Sequence, residues 1–256
     1  MGLFDKKYCS ICGDKIGLLG NRKLEDGNLC KNCAAKLSPF FSDRRSSTVE
    51  DIKAQLQYRE ENKNVVAAFN TTRTYGSDTK ILLDEDKKQF IVTRARNILD
   101  ANPDVLDYAM VTGVDINIDE DADEEQRKDA QGNYVSYNPP RYTWSYDFEL
   151  IIHVNHPYFD SIKVQLNSSS VRINDSAVPQ FQKPNPDLDR EFKQYDDMCK
   201  EIKEALLGAR QQVRDEMAAE RAAASAAPTV MHCPYCGANT TPDASGCCQY
   251  CGSPIK

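Results

Sequence analysis

Four Cys-x-x-Cys pairs constrain this chain more than any other feature of its 256-residue sequence. Two pairs lie near the start and two near the end: Cys9 with Cys12, Cys30 with Cys33, Cys233 with Cys236, and Cys248 with Cys251. Two such pairs at this separation are typical of four thiolates around one tetrahedral metal ion. A segment this short buries too little apolar surface to fold unaided, so zinc would supply the missing stability. The sequence therefore predicts two zinc ions per chain, each bound by four thiolates.

The first cysteine module spans residues 1–45 and is predicted to be treble-clef-like. Gly13 directly follows the first pair and permits a tight turn that brings backbone N–H groups close to the sulfurs. Asp26-Gly27 is typical of a hairpin turn, which would deliver Cys30, and the second pair then opens a short helix. A redox pair or a disulfide is the alternative, but no βαβ pattern or secretory signal accompanies these cysteines.

The last module, residues 230–256, contains two near copies of one motif, Cys-Pro-Tyr-Cys-Gly and Cys-Gln-Tyr-Cys-Gly, which predicts a zinc ribbon. Cys248 is the preferred ligand because only it reproduces the motif, although Cys247 and His232 lie close enough in sequence to substitute. The module carries one acid, Asp243, and one base, Lys256, so it has no charge with which to bind phosphate. A neutral ribbon more often contacts protein.

Between the modules, residues 78–217 are predicted to form a β-rich domain. Two short apolar runs joined by a polar turn, Ile81–Leu83 and Gln89–Val92, have the pattern of a hairpin. Apolar and polar residues alternate from Tyr142 to Ile152, so one face of that strand should be buried. Further strands are predicted at 109–118 and 159–166. The predicted fold class is α+β, with a bent antiparallel β-sheet core closed by a long C-terminal helix and flanked by the zinc modules.

Residues 46–77 are predicted to be a helical connector between the first module and the β domain. A helix should begin near Thr48 and run to about Glu61, with a capping box formed by Ser47 and Glu50. A second short helix or an extended segment should follow it.

The long C-terminal helix is predicted from an apolar stripe that runs from Phe192 to Met217 at helical spacing. Its first half should close the β core. An alanine-rich linker at 218–229 then leads to the ribbon. A coiled-coil dimer through this helix is the alternative use of the stripe.

An acidic run, Asp119–Glu125, is the unusual feature inside the core. A calcium loop starting at Asp119 would need glycine at its sixth position and glutamate at its twelfth, but these are Glu124 and Ala130. Like charges packed together repel and stay solvated. We therefore expect a hairpin loop over 119–140 that binds no calcium.

Charge and composition narrow the classes of function. The net charge of −7 argues against a nucleic-acid binder, which needs clustered Lys and Arg on one face. No apolar run reaches the ~18 residues needed to span a bilayer, and the start lacks an apolar signal region. We therefore expect a cytoplasmic protein. The first 45 residues are mildly basic, with nine Lys or Arg against five Asp or Glu.

Three stretches resemble known bacterial proteins. The first pair with Gly13, the run Leu24–Cys33 and Leu37-Ser38-Pro39 resemble an uncharacterised bacterial family named for a four-cysteine N-terminal domain of unknown function. The core is similar to a bacterial pleckstrin-homology-like (PH-like) domain in the Ile81–Val92 hairpin, the Val105–Ile118 strand and the closing helix from about Arg190. The two cysteine motifs of the last module are similar to ribbons appended to many bacterial cytosolic proteins. PH-like folds serve as lipid or peptide adaptors, and none of these resemblances brings a known catalytic residue.

The expected function is that of a non-enzymatic zinc-binding adaptor that holds protein partners, because the sequence contains no recognisable motif of catalytic residues. A membrane-surface lipid reader is one alternative, but the first core turn, Asp84–Lys88, is acidic where phosphoinositide recognition needs bases. Nucleic-acid binding through the basic first module is the other alternative.

Overall fold

The computed structural model describes residues 7–17, 19–41, 43–173, 181–226, 230–243 and 245–255. The protein is α+β with antiparallel sheets and a long C-terminal helix, as predicted. The chain divides into two compact units, Met1–Arg210 and Gln211–Lys256. No helix among the described residues is long and apolar enough to cross a membrane.

The first module consists of two small hairpins and one helical turn. Strands β1 (Lys7–Tyr8) and β2 (Lys15–Ile16) pair antiparallel, as do β3 (Arg22–Lys23) and β4 (Asn28–Leu29), and α1 (Lys31–Ala34) follows them. The buried cluster of the module includes Ile52, which belongs to the next helix, so this packing unit extends beyond residue 45.

The next helix, α2, runs without interruption from Val49 to Ala68. The predicted break near Glu61 is therefore wrong, and the capping box is formed by Thr48 and Asp51 rather than by Ser47 and Glu50. The helix lacks a plain apolar stripe because three of its buried positions are polar, namely Gln55, Arg59 and Asn62.

A close approach joins the start of α2 to the first module. A Cβ atom added to Gly27 would lie 2.6 Å from both Ser10 Oγ and Val49 Cγ2, so this turn requires glycine. The Asp26 carboxylate also accepts a hydrogen bond of 2.7 Å from the backbone N–H of Val49. Helix and module therefore fold against each other.

The first core sheet has four antiparallel strands in the order β5-β6-β7-β8. They are β5 (Arg73–Tyr75), β6 (Lys80–Asp84), β7 (Gln89–Thr93) and β8 (Val105–Asp107), with the short helix α3 (Ile98–Ala101) before β8. The predicted hairpin is confirmed, since Leu82 pairs with Ile91. Strand β5 lies inside the predicted connector 46–77, so the sheet begins before residue 78.

The second core sheet is built on one long strand. Strand β10 (Tyr134–His156) pairs antiparallel with β9 (Val111–Lys128), β11 (Phe159–Gln165) and β12 (Val171–Ile173). Alternate residues of β10 are buried, as its sequence pattern predicts: Tyr146, Phe148, Leu150, Ile152 and Val154.

The predicted acidic loop at 119–140 is wrong. Strand β9 continues through the acidic run to Lys128, and the turn of the hairpin is confined to residues 129–133. Pairing with the aromatic-rich part of β10 fixes this conformation, with Asp121 opposite Ser145 and Asp123 opposite Thr143. The acids stay largely exposed, so strand pairing does not remove them from solvent.

Helix α4 (Arg190–Ala226) is longer than the sequence predicted. Its first half closes the second sheet, as expected: the centroid of the Phe192 ring lies 4.9 Å from that of Tyr146 and 5.1 Å from that of Phe148. The helix continues through the predicted linker as far as Ala226, and residues 227–229 of that linker lie outside the described residues.

The last module is very small. Strands β13 (Met231–His232) and β14 (Asn239–Thr240) form one hairpin, and single bridges join Pro242 to Cys248 and Cys247 to Pro254. Its buried cluster consists of Cys233, Cys248 and Ile255.

Candidate metal centres

The first centre gathers the four cysteines of the N-terminal module. The sulfur atoms of Cys9, Cys12, Cys30 and Cys33 all lie within 4.8 Å of one another. The turn after β1 carries the first pair, and the start of α1 carries the second. Three of these residues are buried, and Cys12 is exposed.

Backbone hydrogen bonds shape the first centre. Gly13 has φ +77° and donates its N–H to the carbonyl oxygen of Cys9 at 2.9 Å, which closes the turn around the first pair. The N–H of Cys30 points to the Cys9 sulfur at 3.3 Å, and the N–H of Cys33 points to the Cys30 sulfur at 3.3 Å. These donors stabilise negative charge on the sulfurs.

In the second centre, both cysteine pairs form the glycine-closed turn that the first pair forms in the first centre. The sulfur atoms of Cys233, Cys236, Cys248 and Cys251 lie within 4.8 Å of one another. Gly237 and Gly252 have φ +74° and +69°, and their N–H groups reach the carbonyl oxygens of Cys233 and Cys248 at 2.9 and 2.8 Å. The repeated motif in the sequence therefore corresponds to a repeated turn.

Distances between sulfurs fit a tetrahedral ion. Cys12 and Cys30 sulfurs are 3.7 Å apart, and the same separation recurs between Cys233 and Cys251 and between Cys236 and Cys248. A zinc–sulfur bond of about 2.3 Å gives a tetrahedral edge of about 3.8 Å. A disulfide would need about 2.05 Å. Four sulfur donors at this spacing suit zinc, and both clusters are compatible with it.

The thiols within each cluster differ in acidity. Burial raises the pKa of Cys9, but N–H groups from Cys12, Cys30 and Ile11 lower it to about 6. Burial and the neighbouring thiols raise the pKa of Cys33 well above its usual value. In the second cluster, the hydroxyl and N–H of Ser253 lower the pKa of Cys251 to about 6. Four thiolates at this spacing repel one another, so the fully deprotonated cluster needs a cation. Zinc supplies the compensating charge when bound.

Other candidate ligands lie outside these clusters. The Cys247 sulfur is 3.9 Å from the carbonyl oxygen of Ser245, and His232 is exposed with its Nδ1 3.2 Å from Asn239 Oδ1. The structure thus brings Cys248, and not Cys247, into the second cluster. Cys199 is buried in α4, where burial raises its pKa to about 12, which suits a core residue.

A buried polar network near the first centre was missed by sequence reasoning. Arg59 donates to one oxygen of Asp104 at 2.6 Å, and the Ser38 hydroxyl donates to the other at 2.7 Å. Arg59 also contacts the carbonyl oxygen of Asn102. The network ties the end of the first module and α2 to the segment before β8. Its signal in the sequence was weak, because polar residues on a helix usually face solvent.

The comparison with known protein families gives a match in the first module and the start of α2. A protein-family model described as a domain of unknown function (DUF4428) matches residues 7–55. The matched stretch includes both N-terminal cysteine pairs and the buried Ile52 of α2. Neither curated proteins nor solved structures give a match to this chain. The PH-like resemblance of the core therefore stays a prediction.

Proposed function

We propose that this chain is a non-enzymatic, zinc-stabilised adaptor that binds protein partners in the bacterial cytosol. The observation that carries the proposal is a pair of exposed tyrosines in the last module. Tyr235 and Tyr250 occupy the same position in the two repeated turns, and these residues are 69% and 75% exposed.

Exposed tyrosines on a small neutral module suit a protein-binding surface. Tyrosine is enriched among the residues that dominate the binding energy of protein interfaces, because its ring is large and rigid and its hydroxyl forms hydrogen bonds. The module offers one acid and one base in residues 230–256, so it has little charge for phosphate or an anionic membrane. A protein partner is therefore favoured over nucleic acid or lipid.

The metal chemistry supports a structural role for zinc. A catalytic zinc site keeps one position open for water or substrate, whereas four thiolates fill a tetrahedral site. Each cluster offers four sulfurs, and the fifth cysteine of the last module, Cys247, lies outside its cluster. The predicted PH-like core would then serve as a scaffold between the modules.

Affinity purification from native cells tests the proposal with the full chain. We expect the wild type to retain at least one protein and the double variant Tyr235→Ala, Tyr250→Ala to lose it about tenfold or more. Gln249→Ala is the matched control, because Gln249 is exposed beside Tyr250. Equal retention by all three proteins would contradict the proposal. So would retention of nucleic acid or lipid in place of protein.

A further inference from the structure

We propose that the chain binds a phosphate ester with an apolar or aromatic group in two adjoining cavities between the first module, α2 and the first core sheet. The two cavities share Pro39, Arg59 and Ala101 in their walls. One cavity would take the phosphate and the other the organic group. This proposal is independent of the adaptor function, because it uses neither the last module nor its tyrosines.

The first cavity, of about 510 Å³, is lined by cations, and no carboxylate lines it among the residues that the structure describes. Its cations are Arg22, Lys31, Arg44 and Arg59, and most of its other walls are alanine, leucine, proline or phenylalanine. Within the part of the chain that the structure describes, Arg22, Lys31 and Arg44 form no salt bridge. In a protein of net charge −7, this cavity concentrates unpaired positive charge.

Arg59 lines both cavities. Its side chain is 8% exposed, and the buried Asp104 carboxylate, 2.6 Å away, balances its charge. Its Nε is enclosed by protein and is not a contact for a ligand. The remaining net charge of the site comes from Arg22, Lys31 and Arg44.

The second cavity, of about 400 Å³, is mainly apolar. Phe40, Val92 and Pro103 contribute to its walls, and Arg94 and Lys163 are the cations there besides Arg59. The Lys163 ammonium lies 3.9 Å from Glu149, whereas the Arg94 Nε donates to the Thr79 hydroxyl at 2.9 Å. An apolar or aromatic group would bury its surface against these walls.

Phosphate fits the cationic cavity better than a single carboxylate. Arginine presents a planar fork that pairs two hydrogen bonds with phosphate oxygens, and a phosphate monoester carries nearly two negative charges at neutral pH. Three unpaired cations around one cavity therefore match a dianion. The two-part cavity then selects an ester over inorganic phosphate.

Calorimetric titration of the zinc-loaded full chain tests the ligand class. The probes are hexyl phosphate, adenosine monophosphate and inorganic phosphate, which separate an alkyl source, a nucleotide source and a bare anion. We expect at least one ester to bind ten times more tightly than inorganic phosphate. Absence of binding by both esters would overturn the proposal, and so would inorganic phosphate binding as tightly as the better ester.

Charge-removing variants test the location. Arg44→Gln and Arg22→Gln should each weaken binding of the better-bound ester about tenfold. Arg45→Gln is the matched control, because Arg45 lies in the same turn as Arg44 but is exposed and lines neither cavity. All three variants should keep two zinc ions. Equal weakening in all three would indicate only general charge attraction and would overturn the assignment of the site.

Discussion

The two cysteine modules have the same donor set but differ in what surrounds it. The first packs its cysteines with Ile16, Leu24, Leu29, Leu37 and Ile52 in one buried cluster. Among its described residues, the second has a buried cluster of Cys233, Cys248 and Ile255. Apolar burial stabilises a fold roughly in proportion to area, so the second module depends far more on metal. The same ligand motif can therefore serve as a reinforcement in one place and as nearly the whole core in another.

Loss of one ligand in the second module should give the largest effect. We expect Cys236→Ser to release one zinc ion and to unfold residues 230–255, since structural zinc contributes about 10–16 kcal/mol in zinc-finger peptides. Amide hydrogen exchange with zinc analysis measures both. Cys12→Ser should also release one zinc ion, yet α2 from Arg59 onward should keep its protection.

The control for this pair is Cys247→Ser, which should retain two zinc ions because Cys247 lies outside the cluster. Protection of residues 230–255 in zinc-depleted Cys236→Ser protein would break the comparison. Loss of protection throughout α2 in Cys12→Ser would also contradict the comparison, because the first module and its helix would then depend on metal as the second module does.

The buried ion pair should give the next largest effect. In Asp104→Asn the charge of Arg59 would remain buried without its partner, and such losses cost about 3–5 kcal/mol. Urea denaturation of the zinc-loaded protein measures the change in free energy of unfolding. Asp107→Asn is the control, because Asp107 is exposed. A difference below about 1 kcal/mol between these variants would show that the network does not tie the first module to the core.

A smaller effect should follow from Ile52→Ala. Ile52 is fully buried in the cluster of the first module, and truncation of a buried isoleucine to alanine costs about 2–5 kcal/mol. We expect faster loss of zinc from the first centre to a chelator and an unchanged rate at the second. Val65→Ala on the same helix is the control because Val65 is exposed. Equal rates in both variants would mean that α2 does not reinforce the first module.

The features predicted from sequence were those that local pattern determines. Cysteine spacing gave the two groups of four thiols, and the turn glycines followed from the same motif. Alternation along β10 and the hairpin of β6 and β7 also followed from nearby residues. The continuity of α2 did not follow from nearby residues, because three of its buried positions are polar. Partners distant in sequence, at residues 102–105, form hydrogen bonds with Arg59 and Asn62.

Long-range pairing explains the other errors. The acidic run has no strand pattern of its own, and its conformation depends on the opposing residues of β10. The residues that line the cationic cavity are spread from Arg22 to Ala101, so no single stretch of sequence predicts it. The resemblance of the core to PH-like domains stays a prediction, as does the absence of calcium binding.

The number of zinc ions per chain tests the central claim most directly. Elemental analysis of protein purified under reducing conditions, with native mass spectrometry of the same sample, measures that number. The account predicts two tightly held zinc ions, one for each group of four sulfurs within 4.8 Å. Fewer than two zinc ions, or iron in their place, would contradict it.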